Sequence, residues 1–449
     1  MNVIYRYLGV VVLLLTIISC STDVEHKIAA VVSPILVSST PVSGATGIHS
    51  GNVTISLTYD KKVFFASKNK DLLSISHNGS IVSADVIGSS STLVVVANCP
   101  SRNTTYTLSV PEAVVTGANS VPAPSVEIHF TTQELDNTPV NSLTIEAQEV
   151  YNFLQKTYEK KTISGMMAQV AWNIDNSEQV YQWTGKFPAL NCFDYIHLQS
   201  SAEGSWINYG DITPVLDWWK NGGLVASMWH WNVPVSKGSN EFTTYMDQTS
   251  FNIDNAFTEG TWEYQIVNAD LEKIAGYLKL LRDARVPVIW RPLHEAAGGW
   301  FWWGKNSESF KRLWIQMFDY FKDQGLNNLI WVWTAETGDS DWYPGDEYVD
   351  VVGRDLYGKN AVECASQFKT VTSEYGSKMV ALSECGAYID TLNKLGLLSE
   401  QWDAGARWLW FMPWYDNDGA SLSHADKDWW LDAMSQPYVI SRDQLPSFK

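Results

Sequence analysis

The chain has 449 residues, 45% of them apolar, which is long enough for a barrel of roughly 250–300 residues beside a smaller module. Its formal net charge of −18 excludes a nucleic-acid binder, which needs a basic stripe, and argues against binding to anionic lipid heads; a neutral polymer tolerates such a surface. Tryptophan is the outlier, with 22 copies and 20 tyrosines beside it: most serve packing, but aromatic faces also stack on the C–H faces of pyranose rings.

The N-terminus reads as a targeting segment. Arg6 precedes an apolar run from Leu8 to Ile18, followed by Ser19 and Cys20. The run is too short for an ordinary transmembrane helix and reads as a signal peptide. Leu15-Thr16-Ile17-Ile18-Ser19-Cys20 resembles a bacterial lipobox, which implies cleavage before Cys20 and lipidation of that residue. Residues 1–19 are then the signal and 20–33 a tether. The expected location is the cell envelope, on the outer membrane or cell surface, with membrane contact only through the lipid. An ordinary signal peptide with a chance cysteine is the alternative. Cys99, Cys192, Cys364 and Cys385 show no CxxC spacing, so a zinc site is not expected, and buried free thiols are as plausible as a disulfide.

Residues 34–135 are rich in Ser, Thr and Val and contain no tryptophan. Alternating runs recur at Val53–Tyr59, Thr92–Val96 and Tyr106–Val110, separated by turn residues such as Asn78-Gly79. The pattern predicts a small antiparallel β-sandwich, and its opening, Thr40–Tyr59, resembles bacterial Ig-like domains. A spacer is the expected role. A hinge follows at Asp136-Asn137-Thr138-Pro139.

From 142 to 449 strands alternate with helices. Eight apolar strands are expected: Thr162–Met167, Ala189–Ile196, Gly223–Trp231, Val286–Glu295, Asn328–Glu336, Val349–Tyr357, Met379–Gly386 and Arg407–Trp414. Leu271–Arg285 and Ser307–Asp323 carry apolar residues at helical spacing. Near-continuous apolar strands indicate a parallel sheet covered on both faces, and eight units in this length predict a (β/α)₈ barrel, fold class α/β. A doubly wound open sheet is the alternative, but no Gly-rich phosphate fingerprint follows the first strand.

Barrel active sites form at the C-terminal strand ends. The fourth strand ends Trp290-Arg291-Pro292-Leu293-His294-Glu295 and the seventh Ala381-Leu382-Ser383-Glu384-Cys385-Gly386. Two glutamates facing across a cleft suit glycoside hydrolysis, in which one carboxyl donates a proton and the other attacks or activates water. One strand-end glutamate alone reads as a structural ion pair; two, both beside aromatic clusters, point to catalysis. Arg291 lies four residues before Glu295, on the same strand face, where an orienting role is expected.

Arg291-Pro292-Leu293-His294-Glu295 with Gly299-Trp300-Phe301-Trp302-Trp303-Gly304 resembles the acid/base motif of glycoside hydrolase family 26, best known for endo-β-1,4-mannanases. Gly185–Ala189 with Asp194-Tyr195, Trp229–Pro234, Tyr343–Asp346 with Tyr348–Asp350, Asp355–Tyr357 and Ser383-Glu384 add further likeness, across roughly residues 160–415. The resemblance implies that Glu295 is the acid/base and Glu384 the nucleophile of a retaining double displacement on a β-mannan-type polysaccharide. It implies that Tyr357 orients Glu384, that His230 and His294 line the subsites, that Trp300, Trp302 and Trp303 supply a stacking wall, and that Trp410 or Trp414 lies under the sugar that becomes the intermediate. Ala296-Ala297-Gly298 and Cys385 depart from the family's usual residues and leave subsite preference open.

Glu336 and Asp355 are expected to support the site rather than act in it, and His197 and His424 to fill surface or core. No metal and no cofactor are expected, and the protein is expected to be a monomer. Exo-acting mannobiose release, β-1,3/1,4-glucanase and β-xylanase activity remain alternatives within the same chemistry. A non-catalytic glycan binder and a structural surface protein are alternatives outside it.

Overall fold

The computed structural model describes residues 32–88, 90–169, 172–201, 206–388, 394–415 and 424–448. The signal and tether, including Cys20, lie outside the described residues. Two compact units are present.

The N-terminal unit is a two-sheet sandwich. One sheet runs in the order Leu36–Thr40, Gly51–Tyr59, Thr92–Cys99, Ser80–Val86, and the other Ala45–Ile48, Val126–Thr132, Thr105–Val110, Ser74–Ile75. Strict alternation builds its core: Val53, Ile55, Leu57 and Tyr59 face inward against Leu93, Val95, Ala97 and Cys99, while the intervening residues face out.

The second unit is a closed barrel. Its parallel strands are β1 (Thr162–Met167), β2 (Leu190–Asp194), β3 (Leu224–Trp229), β4 (Val288–Pro292), β5 (Leu329–Ala335), β6 (Val351–Tyr357), β7 (Met379–Gly386) and β8 (Trp410–Pro413). They pair in sequence order, and β8 closes onto β1 through Ile163 opposite Trp410. A short strand, Val439–Ile440, also pairs with β1. Every residue of β1 to β5 is buried, as two covered faces require. Most tryptophans pack in this core, among them Trp290, Trp331, Trp333, Trp408 and Trp430.

The helices are α1 (Ile145–Thr157), α2 (Asp175–Thr184), α3 (Thr213–Lys220), α4 (Trp262–Asp283), α5 (Ser307–Asp323), α6 (Ala361–Glu374), α7 (Leu398–Asp403) and α8 (Lys427–Ser435). α5 matches the spacing-based range, capped by the Asn306 side chain on Ser309 N–H. α4 begins nine residues earlier than its apolar spacing suggested. Thr261 caps it through Tyr264 N–H, and its first turns bury the polar Glu263 and Asp270. It stops before Arg285, whose φ of 59° is left-handed. No α-helix joins β5 to β6; that connection uses two 3₁₀ turns, Ser340–Trp342 and Asp346–Tyr348. β4 ends three residues before Glu295, because Leu293 and Glu295 adopt φ of 49° and 52° and leave the ladder.

Candidate active site

Parallel packing brings six strand ends to one mouth. β2 delivers Asp194, β3 leads into His230, β4 into His294 and Glu295, β6 ends at Tyr357, β7 carries Glu384 and β8 leads into Trp414. They surround an open pocket of about 550 Å³, lined by His230, His294, Glu295, Trp300, Phe301, Tyr357, Glu384 and Trp414 among others.

Glu384 is buried and both of its oxygens are engaged. Arg291 Nη1 donates to Oε1 at 2.5 Å and the Tyr357 hydroxyl donates to Oε2 at 2.8 Å. Arg291 is itself held by Asp355 through Nη2 and by Thr334 Oγ1 at 2.9 Å through Nε. Ser383 Oγ donates to the other oxygen of Asp355 at 2.7 Å. Ser383 fits because residue 353 is glycine: a Cβ there would stand 2.3 Å from Ser383 Oγ. Gly353, Ser383, Asp355 and Arg291 thus form one relay behind Glu384. Asp355 and Arg291 act from beneath the pocket. Arg291 keeps its charge because the flanking carboxylates outweigh the burial that disfavours it.

Carboxylate oxygens of Glu295, Asp355 and Glu384 lie within 4.8 Å of one another. Among the described residues, Arg291 and Tyr357 give their hydrogen bonds to Glu384 and not to Glu295. Burial, then the negative charges of Asp355 and Glu384, raise its carboxyl well above the usual range, so it holds its proton. Burial also raises Glu384, and Asp355 adds to that, but the Arg291 charge and hydrogen bond oppose it. Glu384 is therefore the first of the pair to ionise. Burial holds Tyr357 far above its ordinary value, so its phenol remains a donor. One protonated and one ionised carboxyl over an open pocket can perform acid-assisted displacement at an acetal carbon, and oxygens within 4.8 Å of each other place the two nearer the about 5–5.5 Å spacing of enzymes that form a covalent intermediate than the about 6.5–9.5 Å of inverting ones.

The left-handed backbone at Leu293 and Glu295 is costly for residues with a Cβ, and it turns the Glu295 carboxyl out of the strand direction into the mouth. The surrounding loop is firmly tied. Trp303 Nε1 donates to His294 O at 2.9 Å and Trp302 Nε1 to Trp231 O at 2.6 Å. Trp302 N–H donates to Thr244 O and Met246 N–H to Trp300 O, so the excursion after β3 is stitched to the loop after β4. Gly298 lies directly against the Trp300 ring, where a Cβ would stand 2.1 Å from it.

His230 is clamped by Asp194, which accepts from its backbone N–H at 3.2 Å and from its Nδ1 at 2.5 Å. Burial lowers its basicity, but the Asp194 carboxylate overcomes this and raises it. His294 meets His230 edge to face at 4.3 Å, and burial with the neighbouring His230 and Arg291 charges keeps it neutral.

Of the residues singled out by sequence, Glu295, Glu384, His230, His294, Tyr357, Trp300 and Trp414 meet in the pocket. Trp302 and Trp303 do not line it: they are buried under the loop, with their indole N–H groups turned to backbone carbonyls. Trp410 is buried within β8, also outside the lining, so Trp414 is the one of the two that faces the site. Glu336 faces Arg354 at 3.6 Å, outside the lining. Sequence reasoning gave no site role to Phe301, Tyr245, Phe242, Asn232 and Tyr415, which line the pocket beside Ile196, Thr243, Thr244 and Gln248. Phe301 packs within 4.9 Å of His294 and stacks on Trp303 at 4.5 Å. Its position inside the Trp-rich loop was the one available signal. The four described cysteines are buried free thiols.

Residues 140–444 match glycosyl hydrolase family 26, and residues 30–132 match a bacterial Ig-like domain. The chain is 34% identical over 328 residues to mannan endo-1,4-beta-mannosidase B of Piromyces sp, covering 71% of this chain and 55% of that protein. It is 31% identical over 344 residues to a mannan endo-1,4-beta-mannosidase of Thermothelomyces thermophilus, covering 75% and 67%. The chain thus spans about half the length of the Piromyces relatives it matches (55% and 52%). Among solved structures, the family 26 domain of an endo-beta-mannanase/endo-beta-glucanase from Prevotella bryantii is 39% identical with a TM-score of 0.66, over 69% of this chain and 99% of that one. A beta-mannanase from a symbiotic protist of the termite Reticulitermes speratus, complexed with gluco-manno-oligosaccharide, is 36% identical with a TM-score of 0.61, over 70% and 98%. With its barrel matched from end to end, this chain belongs to glycosyl hydrolase family 26.

Proposed function

We propose that the protein is a retaining endo-β-1,4-mannanase in which Glu295 is the general acid/base and Glu384 the nucleophile. The observation that carries this reading is the approach of the two carboxyls within 4.8 Å, with opposite proton occupancy. Glu384 attacks the anomeric carbon while Glu295 protonates the leaving oxygen. Water, deprotonated by Glu295, then releases the sugar with its configuration kept. Tyr357 and Arg291 orient Glu384, His230 and His294 contact the sugars beside the scissile bond, and Trp300 and Trp414 stack on rings from the two sides. Family membership and the mannan endo-1,4-beta-mannosidases among the relatives support mannan as the polymer.

The test is digestion of linear mannan and carob galactomannan by the wild type and by Glu384→Gln. The wild type should release oligosaccharides whose reducing ends first appear as the β anomer in NMR. The variant should lose several orders of magnitude of activity and still bind. First appearance of the α anomer would sink the retaining mechanism, and only mannobiose at every stage would replace the endo reading with exo action.

We also infer a lipid anchor at Cys20, supported by the Leu15–Cys20 pattern and by the polymeric substrate, which a cell must degrade outside. Labelled fatty acid should enter the wild type and not Cys20→Ala; equal labelling of both would overturn the anchor.

A further inference from the structure

Trp206 follows β2 and is 70% exposed; the other strongly exposed tryptophan, Trp300, lines the catalytic pocket. A lone surface aromatic carries little meaning, but this one is held. Its ring packs edge-on against His197 at 4.6 Å. His197 directly follows Ile196, which lines the pocket and whose carbonyl accepts from Asn232, also in the lining.

The described residues around Trp206 are fastened to the barrel by polar side chains. Asp270 of α4, itself buried, accepts from Gln199 Nε2 at 2.8 Å and from Trp231 Nε1 at 2.7 Å. Lys273 donates to Leu198 O at 2.5 Å. Tyr209 donates its hydroxyl to Asp194 O at 2.7 Å, accepts from His197 N–H at 3.1 Å, and gives its own N–H to Ser201 Oγ at 3.0 Å. The anchors at Asp194 and Trp231 belong to residues that also fix His230 and Trp302. His197, on which Trp206 packs, and Tyr209, three residues beyond Trp206, thus belong to the same framework as the pocket.

We propose that Trp206 is a stacking platform for a sugar ring of the bound polymer lying beyond the catalytic pocket, on the β2 side of the mouth. The inference rests on the activity proposed above. An indole offers a flat apolar face to the C–H face of a pyranose, and a ring already packed against a neighbour has less side-chain entropy to lose on binding. Such a contact is felt only by chains long enough to reach it.

The experiment compares kcat/KM of full-length wild type, Trp206→Ala and Trp206→Tyr on mannotriose and mannohexaose. The readout is the ratio of the long to the short substrate. Trp206→Ala should lower that ratio at least about fivefold, and Trp206→Tyr, which keeps a ring, should restore most of it. A ratio within about twofold of wild type in Trp206→Ala, or an equal fall in both variants, overturns the proposal. The ratio cancels any loss of folded enzyme common to both substrates. A wild type inert on all mannan overturns the activity reading beneath; an active wild type with an unmoved ratio overturns the platform alone.

Discussion

Asp194 grips His230 by two separate bonds, one to its backbone N–H and one to its ring Nδ1. The carboxylate therefore fixes both where the imidazole points and which nitrogen faces the pocket without a partner from Asp194. It also favours the charged ring, against the burial that opposes it. With Asp194 present the imidazolium persists to higher pH; without it the charge is lost at lower pH. Asp194→Asn should move the His230 titration, read by ¹⁵N NMR, to lower pH and reduce kcat/KM by about tenfold or more. An unmoved titration would refute the role given to Asp194.

The proton arrangement of Glu295 and Glu384 sets the pH profile. Activity needs Glu384 ionised and Glu295 protonated, so Glu384 gives the acid limb of kcat/KM and Glu295 the alkaline limb, both displaced upward by burial. Glu295→Gln should abolish the alkaline limb and lower kcat on mannan, with a smaller loss on aryl glycosides whose leaving groups need no protonation. Stability follows the same sign: a carboxyl raised in the fold contributes most below its ordinary value of 4.5, and that contribution is lost as pH climbs. Thermal melts of Glu295→Gln and wild type should therefore differ more in the variant's favour near about pH 9 than near about pH 5.

Gly353 touches no substrate but should matter to catalysis. A Cβ at 353 meets Ser383 Oγ, which bonds Asp355, which holds Arg291 on Glu384. Gly353→Ala should cut kcat by about tenfold with a smaller change in KM, because it disturbs the nucleophile's support and no sugar contact. Ser383→Gly in the same chain makes room for the methyl, and should recover stability more than activity.

Asp270 receives two donors, Gln199 and Trp231, in a buried position. Burial pushes it up to about 6, so it is ionised at neutral pH despite the cost. Asparagine offers one acceptor where two are needed and turns an N–H toward a donor. Asp270→Asn should destabilise the barrel by about 1–3 kcal/mol in chemical denaturation. Melting equal to wild type would show that these two bonds contribute nothing net.

The barrel was readable because covered parallel strands must be apolar throughout: β1 and β7 match their expected ranges residue for residue. At β4, where the reading overran, backbone conformation was responsible. The run into Glu295 continues the apolar pattern, but left-handed φ at Leu293 and Glu295 ends β4 early, and no residue type there announces it. The two glutamates were legible from their strand-end positions. The fate of the tryptophans was not, since composition cannot say which way a ring turns: Trp300, Trp302 and Trp303 stand within four positions, yet one faces the pocket and two donate to carbonyls beneath it. Phe242 and Tyr245 reach the wall through a long-range stitch, Tyr245 bridging to Phe301, that local pattern does not encode.

The contact of Gly298 with the Trp300 ring has a consequence for how this cleft can change its diet. That ring lies against bare backbone, so even an alanine at 298 must displace it. Across the seam Phe242 and Tyr245 are 40% and 47% exposed, and Tyr245 stacks on Phe301. Selection for a new polymer, in nature or in a library, would thus meet a jaw at Trp300 that no side chain at 298 can leave undisturbed.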